Sequence, residues 1–501
     1  MERVELAEAA AIAGAVAAPL VLLARARLVF AAGLALIAAA QAGLAFALVP
    51  DQIESLTRSP ARLGLLAVCL AGLTGAAALF VRFPAAVPAA LLAAAPVRVP
   101  LDIAGEEAFL LVPLYGVLAA AVLALAFGLA RGARLRPLPL FLAVPTAAYV
   151  ALAGLSLLWS QDPREGAIEL FFFLFPGAVL VAVVAQVVLT TLVSRSLAAV
   201  LLASTGVLAA IGLWQQWTHT LFFADDLQSA NAYTSFFRVT SIFSDSSIYG
   251  RYVALGIAVL LVLLWFERVR LALGLPLMAL LLAGLYFSYS QTTFVALFAA
   301  VVVIALLAGD RQARRIVAVT AAALVLAGAG LFATTVWDES ARRATGGRWT
   351  LVSLTTPVFV DHPVAGVGIG AQALASSRLE DARERESRNV SHTTPLTVAA
   401  ELGVLGLAAY VAFLAAAAFG SFLAMRRQPA FGLSLLAALT LLVVHSLSYS
   451  GFFEDPFTWL VVGLAAACLV TIPDPAREPA RTDPQASEPR PRGRFQLGSG
   501  R

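Results

Sequence analysis

Two ionisable side chains stand near the start of one long apolar run, in the stretch RNVSHTTPLTVAAELGVLGL from Arg388 to Leu407. A neutral imidazole can accept a proton from a hydroxyl group, so His392 is a candidate general base. Glu401 lies deeper in the run, where a carboxylate is a functional candidate by default. The alternatives are a histidine that only opens a helix and a glutamate that only stabilises a neighbouring loop.

A third candidate is Arg348, in the stretch GGRWTLVSLTTPVFVDHPVAGVGIG. The pattern predicts a short helix over residues 349–359 that is stopped by Pro363, followed by a turn at GVGIG, residues 366–370. The planar guanidinium group can hold a phosphate through two parallel hydrogen bonds, so Arg348 is a candidate phosphate ligand. The alternative is a salt bridge with one of the acidic residues around it.

Two further arginines lie on either side of the stretch VTSIFSDSSIYG. Arg251 falls a few residues inside an apolar run, where it needs a partner, and Asp245 or an anionic ligand would serve. Arg238 lies outside the run and could be merely solvated. Arginines that converge near the membrane surface would suit the diphosphate head group of a lipid carrier.

His445 lies in a later apolar run, where packing against nearby serines or Tyr449 explains it adequately; a supporting role at the site is the alternative. No acidic pair with further ligands stands near these residues, so we expect no metal site and no cofactor. Cys69 and Cys468 lie far apart without a CxxC pattern, which argues against zinc and against a disulfide framework.

The elements that must position these residues are membrane helices. The chain has 501 residues, of which 60% are hydrophobic and 13% charged, whereas a soluble chain carries about 25% charged residues. Apolar stretches of about twenty residues recur, and each is long enough to cross a bilayer as a helix. The sequence predicts an all-α polytopic bundle of about 12–15 spans, with short helices in one large loop between residues 336 and 396.

Arginines mark one side of this bundle. They collect in alternate short loops, and the positive-inside rule assigns those loops to the cytoplasm: Arg25 and Arg27, Arg82, Arg131, Arg134 and Arg136, Arg195, Arg268 and Arg270, Arg311, Arg314 and Arg315, Arg426 and Arg427. The 336–396 loop and the candidate residues then face outward. The sequence thus predicts a multi-pass protein of the cytoplasmic (inner) membrane with an extracytoplasmic active site.

The predicted domain organisation is simple. Residues 1–472 form one polytopic membrane domain, and residues 473–501, rich in Pro, Arg and Ser, form a disordered cytoplasmic tail. No GxxxxGK[ST] phosphate loop is present, which argues against an ATP-driven pump. We expect membrane lipids as partners and no nucleic acid.

Four stretches resemble the O-antigen ligase and O-antigen polymerase superfamily of membrane glycosyltransferases. They are SLLWSQDPREG, FRVTSIFSDSSIYGRYVALG, GGRWTLVSLTTPVFVDHPVAGVGIG and SHTTPLTVAAELGVLGL. The last two together are fairly specific, because in the family a histidine opens a span that carries a Glu-Leu-Gly run. The chain departs from the family at Thr393, where asparagine is usual, and at SYSQTTFVAL, where many members carry Ser-Arg-Gly.

The resemblance implies transfer of a glycan from an undecaprenyl-diphosphate-type carrier to an acceptor hydroxyl, without a metal or a nucleotide sugar. By that analogy His392 activates the acceptor, and Arg348 and Arg251 hold the diphosphate, with Arg238 as a weaker candidate. The partners would be a lipid-diphosphate-linked glycan donor and a glycan or lipid-glycan acceptor.

Three other functions stay open on the sequence alone. A polymerase would use a second lipid-linked repeat unit as its acceptor, and the sequence does not separate it from a ligase. A flippase or transporter of lipid-linked glycan would favour polar residues at the middle of the bilayer, whereas here polar residues cluster at one face. A non-catalytic membrane scaffold is disfavoured by the placement of the arginines and histidines.

Overall fold

The structure, a computed structural model, describes residues 2–50, 59–103, 106–336, 348–379, 391 and 393–470. Within these ranges the chain is built almost wholly from helices. Their bounds are α1 Glu2–Leu22, α2 Arg27–Leu48, α3 Pro60–Arg82, α4 Val87–Ala94, α5 Val112–Ala130, α6 Leu140–Ser156, α7 Pro163–Glu169, α8 Phe175–Ala185, α9 Thr191–Thr218, α10 Asp225–Asn231, α11 Ser246–Trp265, α12 Leu271–Tyr286, α13 Gln291–Ala308, α14 Arg311–Val336, α15 Arg348–Asp361, α16 Gln372–Ser377, α17 Thr394–Arg427, α18 Pro429–Ser446 and α19 Pro456–Val470.

Eleven helical segments among the described residues are long and apolar enough to cross a membrane. They are α1, α2, α3, α5, α6, the continuous segment Pro163–Ala185, α9, α11, α13, α17 and α18. Three shorter apolar helices accompany them, at Pro84–Ala94, Leu271–Tyr286 and Pro456–Val470. The predicted all-α polytopic bundle is confirmed.

One element was not predicted from the sequence. Strands Val99–Ile103 (β1) and Glu106–Leu110 (β2) pair antiparallel, with Val99 opposite Leu110, where the sequence indicated only a polar loop. The pairing satisfies backbone groups that a short polar loop would leave to water. The hairpin lies between α4 and α5, and its end at Phe109 and Leu110 lines the cavity described below.

The helical segment Pro163–Ala185 contains an irregular turn. Between α7 and α8 the chain forms a π-helical segment, Leu170–Leu174. The carbonyl of Phe172 there accepts a hydrogen bond from the Tyr115 hydroxyl at 2.8 Å, and the carbonyl of Phe171 accepts one from Gln41 at 2.9 Å. π-Helical turns occur frequently at functional sites, because they free carbonyls and turn side chains away from the regular helical face.

Helices α11 and α19 lie largely inside the bundle. In α11, 83% of the most apolar window is buried, the largest share among the eleven segments, and residues 456–468 of α19 are all buried. Small residues allow this close packing: a Cβ atom at Gly177 of α8 would lie 2.2 Å from the Trp459 ring of α19. A charged side chain on α11 or α19 therefore needs a partner inside the protein.

The chain divides into two units, Met1–Val470 and Thr471–Arg501. The first unit corresponds to the membrane bundle. The predicted disordered tail, residues 473–501, lies outside the described residues.

Candidate functional site

The site is organised around a break in α17. Gly403 has φ 64° and ψ −162°, which interrupts the helix two residues after Glu401. The break releases carbonyls from the helical ladder: the Ala400 carbonyl accepts from the Val367 amide at 3.0 Å, and the Glu401 carbonyl accepts from the Gly368 amide at 2.8 Å. This backbone conformation is essentially restricted to glycine, which explains the Glu-Leu-Gly run.

The partner of this break is the glycine turn, residues 366–370, which follows α15 as predicted. Its backbone approaches α17 so closely that a Cβ atom at Gly366 would lie 2.2 Å from the carbonyl carbon of Glu401. Gly366, Gly368 and Gly370 all have positive φ. The turn thus needs glycine both for its conformation and for its contact with α17.

The stretch SLLWSQDPREG, residues 156–166, binds the other side of the glycine turn. The Ser160 hydroxyl donates to the Ile369 carbonyl at 2.8 Å, and the Ser156 hydroxyl accepts from the backbone N–H of Ile369 at 3.1 Å. The backbone N–H of Gln161 donates to the Val367 carbonyl at 3.0 Å. Three of the four motif stretches therefore meet at one place, although about 200 residues separate Ser160 from Ile369.

Glu401 is buried, with 6% of its surface exposed. One carboxylate oxygen accepts a hydrogen bond from the backbone N–H of Gln372 at 3.3 Å. The backbone of Gly370 contributes another hydrogen bond. These contacts favour the alternative in which Glu401 stabilises a neighbouring loop. Because Glu401 also lines the cavity described below, its supporting role at the site remains compatible with the structure.

Gln372 is a residue that the sequence reasoning missed. Its amide nitrogen donates to the hydroxyls of Thr355 on α15 and Ser376 on α16, both at 2.9 Å. Its amide oxygen accepts from the backbone N–H of Ser391 at 2.8 Å. All four residues are at most 2% exposed. Gln372 thus connects the Arg348 helix to the residue that immediately precedes His392.

The two central candidates are placed only in part. Arg348 is the first residue of α15, so the predicted helix is confirmed. The side chain of Arg348 lies outside the part of the chain that the structure describes. His392 itself lies outside the described residues, whereas its neighbours Ser391 and Thr393 are described. Thr393 is the N-cap residue of α17, so the histidine precedes the first residue of that helix by two positions in the sequence. Their catalytic roles stay predictions.

Arg251 has a different partner from the one predicted. Its Nε atom lies 2.9 Å from Oδ2 of Asp455, and both side chains are at most 4% exposed. Asp245, the predicted partner, instead caps α11 by accepting from the amides of Ser247 and Ile248. Asp455 precedes α19 and caps it through its other oxygen, which accepts from the Phe457 amide at 2.9 Å. The Arg251–Asp455 pair therefore joins two enclosed helices.

Tyr449 connects this ion pair to His445. The Arg251 guanidinium carbon lies 5.8 Å from the Tyr449 ring centre, and the His445 and Tyr449 rings are 5.3 Å apart. His445 is completely buried. The structure thus brings His445 and Arg251 into one cluster, which agrees with the packing interpretation of His445.

Arg238 is half-buried at the approach to α11. Its guanidinium donates to the Ser246 hydroxyl at 2.6 Å, and its backbone is held by Asn231 through bonds of 3.0 and 3.1 Å. The side chain is therefore fixed to the first residue of α11 rather than merely solvated. None of these contacts involves an ion pair.

An open cavity of about 450 Å³ lies between the start of α17, the segment Arg164–Leu174 and the residues Ser450–Glu454. The ionisable residues and the hydroxyl residues of its wall are Arg98, Arg164, Glu165, Glu169, Glu401, Glu454, Tyr149, Thr394, Thr397 and Ser450. The apolar part of the wall includes the π-helical segment and Phe452 and Phe453. The cavity thus lies at the start of α17, where Thr394 and Thr397 line it, and offers charged groups of both signs.

Arg98, Arg164, Glu169 and Glu454 were not among the predicted site residues. Glu169 stands at the edge of the run FFFLF, and the rule that singled out Glu401 would have found it. Arg98 and Glu454 lie in short connections and Arg164 in the first turn of α7, where the sequence carries no signal that they face one cavity. Burial away from water raises the pKa of Glu454 above its ordinary value, and the positive charges of Arg98 and Arg251 act in the opposite direction.

In the part of the chain that the structure describes, no group of three or more His, Cys, Asp or Glu residues could hold a metal ion. The expectation of metal-free chemistry stays a prediction. The geometry offers instead hydrogen-bond acceptors, arginines and an aromatic wall in one cavity. Such a wall suits a ligand that carries both hydroxyl groups and negative charge.

The family model described as O-antigen ligase matches residues 276–411. The matched segment contains Arg348, the glycine turn, His392 and Glu401, whereas Arg238 and Arg251 precede it and His445 follows it. No curated protein matches the sequence. The match to the family model confirms, over residues 276–411, the resemblance to O-antigen ligases predicted from the motifs.

Proposed function

We propose that the protein is a membrane glycosyltransferase that moves a glycan from a polyprenyl-diphosphate carrier to an acceptor hydroxyl, as an O-antigen ligase does. The observation that carries the proposal is the position of the 450 Å³ cavity at the start of α17, where Thr394, Thr397, Val398 and Glu401 of the family-matched segment form part of its wall. We place this chemistry on the outer face of the inner membrane, because the arginine-rich loops lie at the other ends of the helices.

The proposed reaction needs one base and one anion-binding site. The acceptor hydroxyl gives its proton to the His392 imidazole while its oxygen bonds to the anomeric carbon of the donor sugar. The bond between that carbon and the diphosphate oxygen breaks, and the lipid diphosphate leaves with the electron pair. Arg348 neutralises the developing charge, so that positioning and electrostatics supply the rate enhancement.

The arginines have different parts in this proposal. Direct binding of the diphosphate by Arg251 would leave the Asp455 carboxylate buried without a counter-charge, which is unfavourable. Arg251 therefore serves by holding the 447–455 segment, whose Ser450, Phe452, Phe453 and Glu454 line the cavity. Arg98 and Arg164 face the cavity and are the described arginines best placed to assist Arg348.

The carboxylates of the cavity bind the sugar in this proposal. Glu169 and Glu454 can form hydrogen bonds with glycan hydroxyl groups, because a carboxyl group accepts such bonds and in its protonated form also donates one. Glu401 is already engaged with the glycine turn and holds the wall in place. The identity of the glycan is set by this wall and by the parts of the site outside the described residues.

The experiment is an assay of the purified protein with lipid-diphosphate glycans and a panel of acceptors, with and without a chelator. We expect transfer that needs no nucleotide and survives chelation. A product that grows by repeat units without any other acceptor would indicate the polymerase. Loss of transfer on chelation, with recovery on adding a divalent ion, would contradict the proposed charge neutralisation by arginine.

A further inference from the structure

A second cavity, larger than the first, opens at the other end of the bundle. Its volume is about 860 Å³, within the range of about 300–1,000 Å³ that ligand sites occupy. Helix α17 shows the separation of the two cavities: Thr394 at its start lines the first and Arg427 at its end lines the second. Thirty-four residues of helix lie between these ends, which corresponds to about 50 Å of helix.

The wall of this cavity, which we name the arginine-rimmed groove, is a set of helical stripes. Phe457, Leu460, Val461 and Leu464 of α19 face it, as do Phe431, Ser434, Leu435 and Ala438 of α18. Each set follows the spacing i, i+3, i+4, i+7, so each forms one continuous face of its helix. The groove is therefore an elongated apolar slot that runs along the helices, which suits a hydrocarbon chain.

The mouth of the groove is basic. Arg195 of α9, Arg268 between α11 and α12, and Arg427 of α17 all line it, together with one acid, Glu267. The three arginines come from separate elements and are exposed. Ser194 and Gln428 add neutral polar groups at the same end. Charge at the mouth thus favours an anionic head group over a zwitterionic one.

We propose that the arginine-rimmed groove binds an anionic phospholipid, with the phosphate head group at the three arginines and one acyl chain in the slot. Basic pockets between membrane helices recognise the head groups of anionic lipids in this way. The apolar stripes supply the second half of the recognition, because a phosphate ion alone would leave them empty. This site is separate from the cavity of the proposed reaction and does not rest on that function.

The test is native mass spectrometry of the detergent-purified protein titrated with phosphatidylglycerol or with phosphatidylcholine of the same chains. We expect phosphatidylglycerol to bind more tightly. The double variant Arg195→Gln/Arg268→Gln should lose affinity roughly tenfold to thirtyfold, since each arginine near a head group contributes about 1 kcal/mol. Its matched control is Arg134→Gln/Arg270→Gln, two exposed arginines that do not line the groove.

A third variant separates a lipid from a free anion. Ala198→Phe fills the half-buried wall of the groove without changing its charge, so it should weaken phosphatidylglycerol binding while the protein keeps its elution profile. Inorganic phosphate at the same concentration should compete weakly. Equal binding of both lipids, equal loss in the two double variants, or full competition by phosphate with no effect of Ala198→Phe would overturn the proposal.

Discussion

At the scale of single residues, the structure assigns partners that change how the arginines are interpreted. Arg251 was predicted to hold an anion or Asp245, and its partner is Asp455, 204 positions further along the chain. Spacing along a sequence cannot reveal such a pair, because the two residues belong to helices brought together only by packing. Gln372 escaped notice for the same reason, since a single amide side chain carries no signal of its three buried partners.

The ion pair predicts a stability effect. Asp455→Asn keeps the acceptor that caps α19 but leaves the Arg251 guanidinium buried without a counter-charge, which typically costs about 3–5 kcal/mol. We expect a clearly lower temperature of thermal unfolding in detergent. Arg238→Gln is the control, because Arg238 donates to a neutral hydroxyl and its loss should cost less. A similar loss of stability in both variants would contradict the assigned role of the pair.

The contacts of Gln372 predict that its replacement by leucine lowers turnover more than it lowers stability. Gln372→Leu leaves the buried Ser391 N–H without an acceptor, a penalty of about 1–3 kcal/mol, and releases the segment that carries His392. The expected result is a lower kcat with a KM for the donor close to that of the unchanged protein. Gln161→Leu is the matched control, since the Gln161 side chain accepts its hydrogen bond from the exposed Arg378 rather than from the Ser391 backbone.

Rescue distinguishes positioning from simple support. Gln372→Asn keeps the amide group on a shorter side chain and should recover part of the turnover. If Gln372→Leu lowers only the amount of folded protein, with unchanged turnover per molecule, then Gln372 does not position the His392 segment.

At the scale of elements, α17 and the glycine turn form one unit. The sequence predicted the apolar run, the short helix after Arg348 and the turn, because each has a local signature in hydrophobic length, proline or glycine. It did not predict the break at Gly403, the hairpin Val99–Leu110 or the π-helical segment. The break at Gly403 depends on backbone bonds to distant residues 363–368, and the π-helical carbonyls accept from the distant side chains of Gln41 and Tyr115, so no local pattern encodes either feature.

Gly403→Ala tests the unit. An added Cβ atom would lie 2.2 Å from the Val364 carbonyl oxygen, and the backbone conformation is nearly closed to other residues, with a strain of about 1–3 kcal/mol. We expect reduced thermal stability and reduced transfer. The control is Gly116→Ala on α5, where an added Cβ atom meets nothing within 4 Å. Equal stability of the two variants would mean that the break is not required.

At the scale of the whole molecule, the bundle was the easiest feature to predict, because the lipid bilayer imposes length and apolarity on every span. The family resemblance singled out SLLWSQDPREG, the glycine turn and the Glu-Leu-Gly run, but their convergence at one place was not predicted. The cavity walls contributed by Arg98 and Glu454 could not be predicted, since they depend on how the helices pack.

The arginine alternation predicts the orientation of the bundle. Reporter fusions after Arg195, Arg270 and Arg427 should report the cytoplasm, and fusions near Ser160, Asp226 and Glu384 should report the outside. An external signal at Arg270 together with an internal signal at Glu384 would place His392 and Arg348 in the wrong compartment for the proposed reaction.

The central claim is that His392 is the general base and Arg348 the diphosphate ligand. The most direct measurement is turnover per folded, membrane-inserted protein for His392→Ala and Arg348→Lys, with Arg383→Ala as a control for the charge of the same loop. Loss of a general base typically lowers the rate by about 10²–10⁴, and lysine cannot reproduce the two parallel hydrogen bonds of a guanidinium. We predict severe loss in both variants and near-normal turnover in the control. Near-normal turnover of His392→Ala, or an equal loss in Arg383→Ala, would contradict the account.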